Sequence, residues 1–212
     1  MRRRPLFVLA LPVLAEPILA EPLLAGPAKA QGFVFLDEAQ GVALLRAGGL
    51  NLYLRHAITD RTQSDTGRRG DRAGQRNLSE AGRLQARRLG DAMRSLGIPV
   101  AEVLTSEVFR ARDTAELAFG SARVLRDLIA DDYTPGSASE DARSVSRALA
   151  QKVDGGNRVM VGHIVPLGMI LGRGLAQEEF PEGAMGVFRP RSTGWEFLGF
   201  LRAEELIRAA GL

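Results

Sequence analysis

The sequence contains no cysteine, which excludes disulfides, thiolate chemistry and a lipoprotein anchor. Lysine is almost absent, since Lys29 and Lys152 are the only two, so the many arginines reflect a compositional bias more than a binding patch. No Asp, His and Cys residues occur at the spacing of metal ligands. We therefore expect neither a metal nor any other cofactor.

Histidine is also scarce, and both histidines directly follow an apolar run. His56 ends the segment LNLYLRH, and His163 ends the segment RVMVGH. Apolar runs of this length indicate strands that are buried on both faces. In open α/β sheets, ligands bind at the carboxyl ends of such strands. The pattern therefore predicts that the two histidines meet at one edge of a sheet.

Arginines accompany these strand ends and point to chemistry on an anion. Arg55 precedes His56, and Arg110 follows a third apolar run, VLTS. A guanidinium holds an oxyanion in a planar fork, and its charge opposes protonation of a nearby imidazole, whose nitrogen can then attack. The predicted substrate is a phosphoryl group. The alternatives are structural histidines, and an ion pair of Arg110 with Asp113 or Glu116.

Three segments together resemble the histidine phosphatase superfamily, the phosphoglycerate mutase-like enzymes. They occur in the family's order, as LRHA around His56, SEVFRARDTAE at Ser106 to Glu116 and VMVGH at Val159 to His163; RNLSEAGRLQARRLG is also typical. The resemblance covers about Leu50 to Phe200. It implies that His56 becomes phosphorylated and that Arg55, Arg110 and His163 surround the phosphoryl group.

The chain also departs from the family's pattern. Ala57 replaces the usual Gly after the histidine, and Ile58 replaces the Glu or Gln that often follows. Relatives with an RNLSEAGR-like stretch commonly carry a cysteine just before it and another just before the RA motif. The corresponding residues here are Arg72 and Phe109, so the resemblance implies that a cross-link is absent.

The family's general acid follows its third motif strand, which here points to the loop after Val124-Leu125. We favour Asp132 narrowly over Asp127, because the adjacent Asp131 would raise the pKa of Asp132. Asp60, close to the nucleophile in sequence, is a further candidate. The alternative is that these are ordinary solvated loop acids.

The first thirty residues have the pattern of a secretory signal. Basic residues at Arg2 to Arg4 precede an apolar stretch, and Ala28-Lys29-Ala30 forms a cleavage site before Gln31. Acidic residues and recurring prolines interrupt the apolar stretch, which argues against a membrane-spanning helix. A retained membrane anchor is the alternative. We expect a periplasmic or secreted domain of residues 31–212, whose formal charge falls to +1 once four basic and two acidic residues leave.

The order of predicted elements indicates an α/β fold. A strand, a long helix capped at Ser79 and a strand ending at Ser106 form a βαβ unit, whose strands are parallel. We predict a three-layer sandwich with a largely parallel central sheet and a C-terminal edge hairpin. Other predicted helices span 37–47 and 139–153, and we expect the long helix to carry Leu84, Leu89, Met93 and Leu96 on one face.

These observations predict an exported, metal-independent phosphomonoesterase that works through a phosphohistidine. Its partner would be a small-molecule or glycolipid phosphate ester, and short exported relatives suggest phosphorylated envelope sugars such as lipopolysaccharide core. The arginine-rich loop 59–76 lacks an aromatic residue for base stacking, so we expect no nucleic-acid partner. The alternatives are a phosphotransferase or mutase, and a non-catalytic phosphate-binding protein.

Overall fold

The computed structural model describes residues 34–212, which form a mixed sheet in the strand order β3-β2-β4-β1-β5-β6. Strands β3, β2, β4 and β1 are parallel to one another. Strand β5 is antiparallel to both of its neighbours, β1 and β6. The predicted signal segment, residues 1–30, lies outside the described residues. The strands are β1 (Asn51–Arg55), β2 (Val100–Thr105), β3 (Arg123–Val124), β4 (Asn157–Gly162), β5 (Met185–Arg191) and β6 (Gly194–Leu201).

Helices pack on both faces of the sheet and confirm the predicted three layers. Side chains alternate along a strand, so Leu52 and Leu54 join one core while Tyr53 joins the other. The first core includes residues of α1, α2, α3 and α6, and the second includes residues of α4 and α5. The helices are α1 (Glu38–Ala47), α2 (Glu80–Ser95), α3 (Phe109–Phe119), α4 (Ala138–Leu149), α5 (Ile164–Ile170) and α6 (Ala203–Ala209).

Helix α2 begins where the sequence predicts, because the Ser79 hydroxyl accepts a hydrogen bond from the Gly82 amide at 3.0 Å. The prediction that Leu84 shares a face with Leu89, Met93 and Leu96 is wrong, since Leu84 is 47% exposed and the other three are buried. Small residues set the rotation of this helix. A Cβ at Gly82 would collide with the Ile58 carbonyl, and one at Gly90 would collide with Ala118. The buried face of α2 is therefore the face that contains Gly82 and Gly90, and Leu84 lies outside it.

Helix α4 ends four residues before the predicted end at Val153. The Asn51 amide donates hydrogen bonds to the carbonyl oxygens of Leu149 and Gln151, at 2.8 and 2.9 Å. Carbonyl groups in the last turn of a helix have no partner within the helix. A side chain from β1 thus satisfies the carbonyls where α4 stops.

Strands β5 and β6 form the predicted antiparallel hairpin, with β6 at the edge of the sheet. Strands β1 and β2 are parallel as predicted, but β4 lies between them. None of the helices in the part of the chain that the structure describes is long and apolar enough to cross a membrane.

The loop before α2 is joined to α3 by a contact between Arg72 and Phe109, the two positions at which the resemblance implies an absent cross-link. The Arg72 guanidinium lies 4.1 Å from the centre of the Phe109 ring. It also forms two hydrogen bonds with the Asp113 carboxylate, at 2.6 and 2.8 Å. A non-covalent contact therefore joins these positions here.

Candidate active site

The sheet brings the two histidines together at the carboxyl edge of its parallel strands. Arg55 at the end of β1 pairs with Gly162 at the end of β4, so the residues that follow both strands leave at the same level. The ring centres of His56 and His163 are 5.4 Å apart, and both side chains are buried. Two imidazoles therefore face one small region.

The environment of His56 leaves one ring nitrogen available for attack. Its Nδ1 lies 2.9 Å from the Ala57 carbonyl oxygen, which can only accept, so Nδ1 carries the hydrogen and Nε2 keeps its lone pair. Burial lowers the pKa of His56 well below its usual value, and the charges of Arg110 and Arg55 lower it further. The imidazole is therefore neutral at neutral pH.

The segment after His56 is fixed to helix α3. The Ala57 amide donates to the Thr114 hydroxyl at 2.9 Å, and that hydroxyl donates to the Arg110 carbonyl at 2.7 Å. The same buried threonine therefore links the histidine's segment to the turn that carries Arg110. The sequence analysis did not identify this role of Thr114.

His163 is held by two side chains that the sequence analysis also missed. Its Nε2 lies 3.0 Å from the Ser106 hydroxyl, while its Nδ1 is buried without a hydrogen-bond partner. The Tyr53 hydroxyl donates to the His163 carbonyl at 3.0 Å and accepts from its amide at 3.1 Å. Burial lowers the pKa of His163, and the charge of Arg110 lowers it further. The Nδ1 of this neutral ring therefore remains free to form a hydrogen bond with a ligand.

Arg55 and Arg110 are buried beside the histidines, and each keeps its Nε free of hydrogen bonds. The terminal nitrogens of Arg55 donate to the Phe180 carbonyl and to the Gln177 amide oxygen, at 2.5 and 2.8 Å. Burial lowers the pKa of Arg55 to about 10. Arg110 donates from Nη1 to both carboxylate oxygens of Asp65, at 3.0 and 3.2 Å.

The alternative interpretation of Arg110 as a surface ion pair on its own helix is wrong. Asp113 binds Arg72, and Glu116 binds Arg112. Arg110 itself is 4% exposed, and its carboxylate partner lies 45 residues away in the sequence.

Arg76 is a third arginine of the site, to which the sequence analysis gave no role beyond membership of an arginine-rich loop. Its Nε is buried and has no partner, and its charge lowers the pKa of both His56 and Arg55. The sequence signal that could have identified Arg76 is its position directly before the NLSE segment. In residues 34–212, four buried side-chain nitrogens have no hydrogen-bond partner: Nε of Arg55, Arg76 and Arg110, and Nδ1 of His163. We call these four nitrogens the anion cradle.

The three candidate acids differ in their surroundings. Asp132 is exposed as a whole residue, but partial burial of its carboxyl raises its pKa. The positive charge of Arg110 lowers this pKa, whereas the negative charges of Asp65 and Asp131 raise it. Asp127 lies in a 3₁₀ turn at Arg126–Leu128. Hydrogen bonds from Thr62 lower the pKa of Asp60, so its carboxyl is ionised near neutral pH.

The sequence of this site matches a known family. The model of the histidine phosphatase superfamily (branch 1) matches residues 52–132, which include His56, Arg110 and Asp132. This part of the chain is similar to the histidine phosphatase superfamily. The matched range ends before His163, which the fold brings to His56. The similarity supports phosphatase activity in general terms.

Solved structures of several phosphatases have a similar fold at low sequence identity. The protein histidine phosphatase SixA with tungstate is 17% identical, with a TM-score of 0.53 over 74% of this chain and 99% of SixA. Phosphoserine phosphatase from Entamoeba histolytica is 14% identical, with a TM-score of 0.53 over 74% and 98%. A mycobacterial glucosyl-3-phosphoglycerate phosphatase complexed with VO3 is 17% identical, with a TM-score of 0.51 over 73% and 99%. No curated protein matches the sequence significantly.

Proposed function

We propose that this protein is a phosphomonoesterase that forms a phosphohistidine on His56. The observation that carries the proposal is the anion cradle, four buried nitrogens without partners beside a neutral imidazole whose Nε2 is free. An unpaired buried polar group is costly, so a group of them in one place favours a ligand that pairs them. A phosphoryl group offers three oxygens that accept hydrogen bonds.

In the proposed first step, the Nε2 lone pair of His56 attacks phosphorus while the bond to the leaving oxygen breaks in line. Arg55, Arg76, Arg110 and His163 hold the phosphoryl oxygens throughout. A carboxyl group supplies the proton that the leaving oxygen needs. Water then attacks the phosphohistidine, which releases phosphate and restores the neutral imidazole.

We further propose that the reaction needs no metal ion, because three guanidinium groups supply the positive charge that phosphoryl transfer requires. The experiment is hydrolysis of p-nitrophenyl phosphate in the presence of a strong chelator, with inorganic phosphate measured as product. Full activity supports the proposal. No turnover of any phosphate ester would favour a binding protein, and transfer to an added alcohol in place of water would favour a phosphotransferase. Activity lost with the chelator and restored by a divalent cation would contradict the metal-free mechanism.

Asp132 is the proposed general acid, because burial raises its pKa and a protonated carboxyl is needed near neutral pH. An alkoxide leaving group requires a proton, whereas p-nitrophenolate hardly does. Asp132→Asn should therefore slow hydrolysis of alkyl phosphates by roughly 10²-fold or more, and that of p-nitrophenyl phosphate much less. Steady-state rates on both substrates measure this difference.

Asp127→Asn is the matched control, since Asp127 lies in the same segment between β3 and α4. It should leave the ratio of the two rates near that of the wild type. Equal losses of rate on both substrates in Asp132→Asn would show that Asp132 is not the general acid. A loss confined to alkyl phosphates in Asp127→Asn would assign that role to Asp127.

We also propose that the protein is exported and acts on a phosphorylated envelope sugar or glycolipid. The N-terminal sequence pattern supports export, and the resemblance to short exported relatives supports the substrate class. Mature protein recovered outside the cytoplasm should begin at or near Gln31. Membrane-bound material that retains Arg2 to Arg4 would contradict cleavage, and a panel of phosphate esters would test the substrate class.

A further inference from the structure

Asp65 is a largely buried carboxylate on which three segments of the site converge. It accepts hydrogen bonds from Arg110 Nη1 of helix α3, at 3.0 and 3.2 Å, and from the Arg76 amide at 2.9 Å. The third donor is the Tyr133 hydroxyl, at 2.6 Å. The three donors belong to segments that are far apart in sequence. Asp65 therefore fixes their relative positions.

The first consequence concerns the direction of the Arg110 guanidinium. Asp65 binds it only through Nη1, while Nε is buried and has no partner. A guanidinium grips an oxyanion with two parallel N–H groups along one edge. With Nη1 held by Asp65, the edge formed by Nε and Nη2 remains for a phosphoryl group.

The second consequence concerns Asp132, the neighbour of Tyr133 in sequence. Tyr133 binds Asp65 through its hydroxyl, and its ring centre lies 5.9 Å from the Arg110 guanidinium carbon. The charged and titratable groups that act on Asp132 are Arg110 from α3, Asp65 from the loop before α2, and its own neighbours Asp131 and Tyr133. Asp65 thus places negative charge where it opposes ionisation of Asp132.

Asp65 itself is unsuited to donate a proton. Burial opposes its ionisation, but the hydrogen bonds from Tyr133 and Arg76 and the charge of Arg110 outweigh burial and lower its pKa. It is therefore ionised at neutral pH, as both of the effects described above require.

We propose that Asp65 is a positioning residue that aims the free edge of Arg110 at the phosphoryl group and supports Asp132 as the proton donor. The proposal deepens the proposed function and rests on it. Neither the family resemblance nor the chain's local pattern assigns Asp65 a role.

The test is Asp65→Asn, which keeps the size of the side chain but removes its charge. The KM of both an alkyl phosphate and p-nitrophenyl phosphate should rise about tenfold, because Arg110 loses a charge-assisted hydrogen bond. Loss of a negative neighbour lowers the pKa of Asp132. The fall of kcat at high pH should therefore move to lower pH, by about one pH unit, on the alkyl phosphate only.

The matched control is Asp71→Asn, in the same loop, because none of the hydrogen bonds of residues 34–212 uses the Asp71 carboxylate. It should leave KM and both pH profiles unchanged. Asp65→Glu is the second variant, since it keeps the charge but displaces it. It should raise KM on both substrates while the alkyl phosphate profile stays near that of the wild type.

An unchanged KM in both Asp65 variants would overturn the aiming of Arg110. An unmoved alkyl phosphate profile in Asp65→Asn, or an equal movement on both substrates, would overturn the support of Asp132. If Asp65→Asn fails to fold, a wild-type KM in Asp65→Glu still contradicts the proposal. Failure of the proposed function is distinct, because the wild type would then hydrolyse neither substrate.

Discussion

Replacing His56 with alanine should reduce hydrolysis of p-nitrophenyl phosphate by at least about 10⁴-fold, since the variant has no nucleophile. The leaving group of this substrate hardly needs an acid, so the loss reports attack on phosphorus alone. The neighbouring main chain should be unaffected, because the Ala57 amide keeps its bond to Thr114. Steady-state rates and thermal unfolding of the purified variant measure both effects.

His163→Ala is the comparison for that result. It removes one donor of the anion cradle but leaves Nε2 of His56, so it should retain more activity than His56→Ala. Activity of His56→Ala within tenfold of the wild type, with the fold intact, would contradict the assignment of the nucleophile.

Arg110→Ala should lower kcat/KM on p-nitrophenyl phosphate by about 10³-fold, because the proposed contact of its buried guanidinium with the phosphoryl oxygens would stabilise charge in the transition state. It should also leave Asp65 as a buried carboxylate without its ion pair, which adds repulsion toward the substrate. Binding of vanadate, a phosphate analogue, should weaken in parallel. Kinetics and calorimetry of the same preparation measure both losses.

Arg112→Ala is the matched control, because Arg112 lies two residues after Arg110 on the same helix. Both Arg112 and its ion-pair partner Glu116 are exposed. It should leave rate and vanadate affinity near those of the wild type. Arg110→Lys should recover only part of the loss, since a lysine cannot reproduce the planar fork. A wild-type rate in Arg110→Ala would show that this arginine does not hold the phosphoryl group.

The sequence predicted the central part of this architecture because the signals there are local. Apolar runs that end in Arg55-His56 and in His163 specify buried strands and place their ends at one edge of the sheet. One error concerns the face that helix α2 buries. Leu84 lies five residues before Leu89, which is about 140° around the helix, so it faces away from the buried side. Close packing at Gly82 and Gly90 fixes that buried side against its neighbours.

The remaining residues of the site depend on loop conformation or on side-chain contacts between distant segments, which local pattern does not encode. Asp65 is an ordinary loop acid in the sequence, and only the fold brings it to Arg110 and Tyr133. Arg76 was one of several arginines in its loop, and what distinguishes it is a buried Nε without a partner. Tyr53 looked like an apolar strand residue, yet its hydroxyl holds the backbone of His163.

The most direct test of the account is to identify the residue that carries the phosphoryl group during turnover. Wild-type enzyme is mixed with a phosphate ester, quenched rapidly in alkali, digested and analysed by mass spectrometry. The account predicts a phosphoryl group on His56 that is stable in alkali, is lost in acid and is absent from His56→Ala. A phosphoryl group on another residue, or one that persists in His56→Ala, would contradict the central claim.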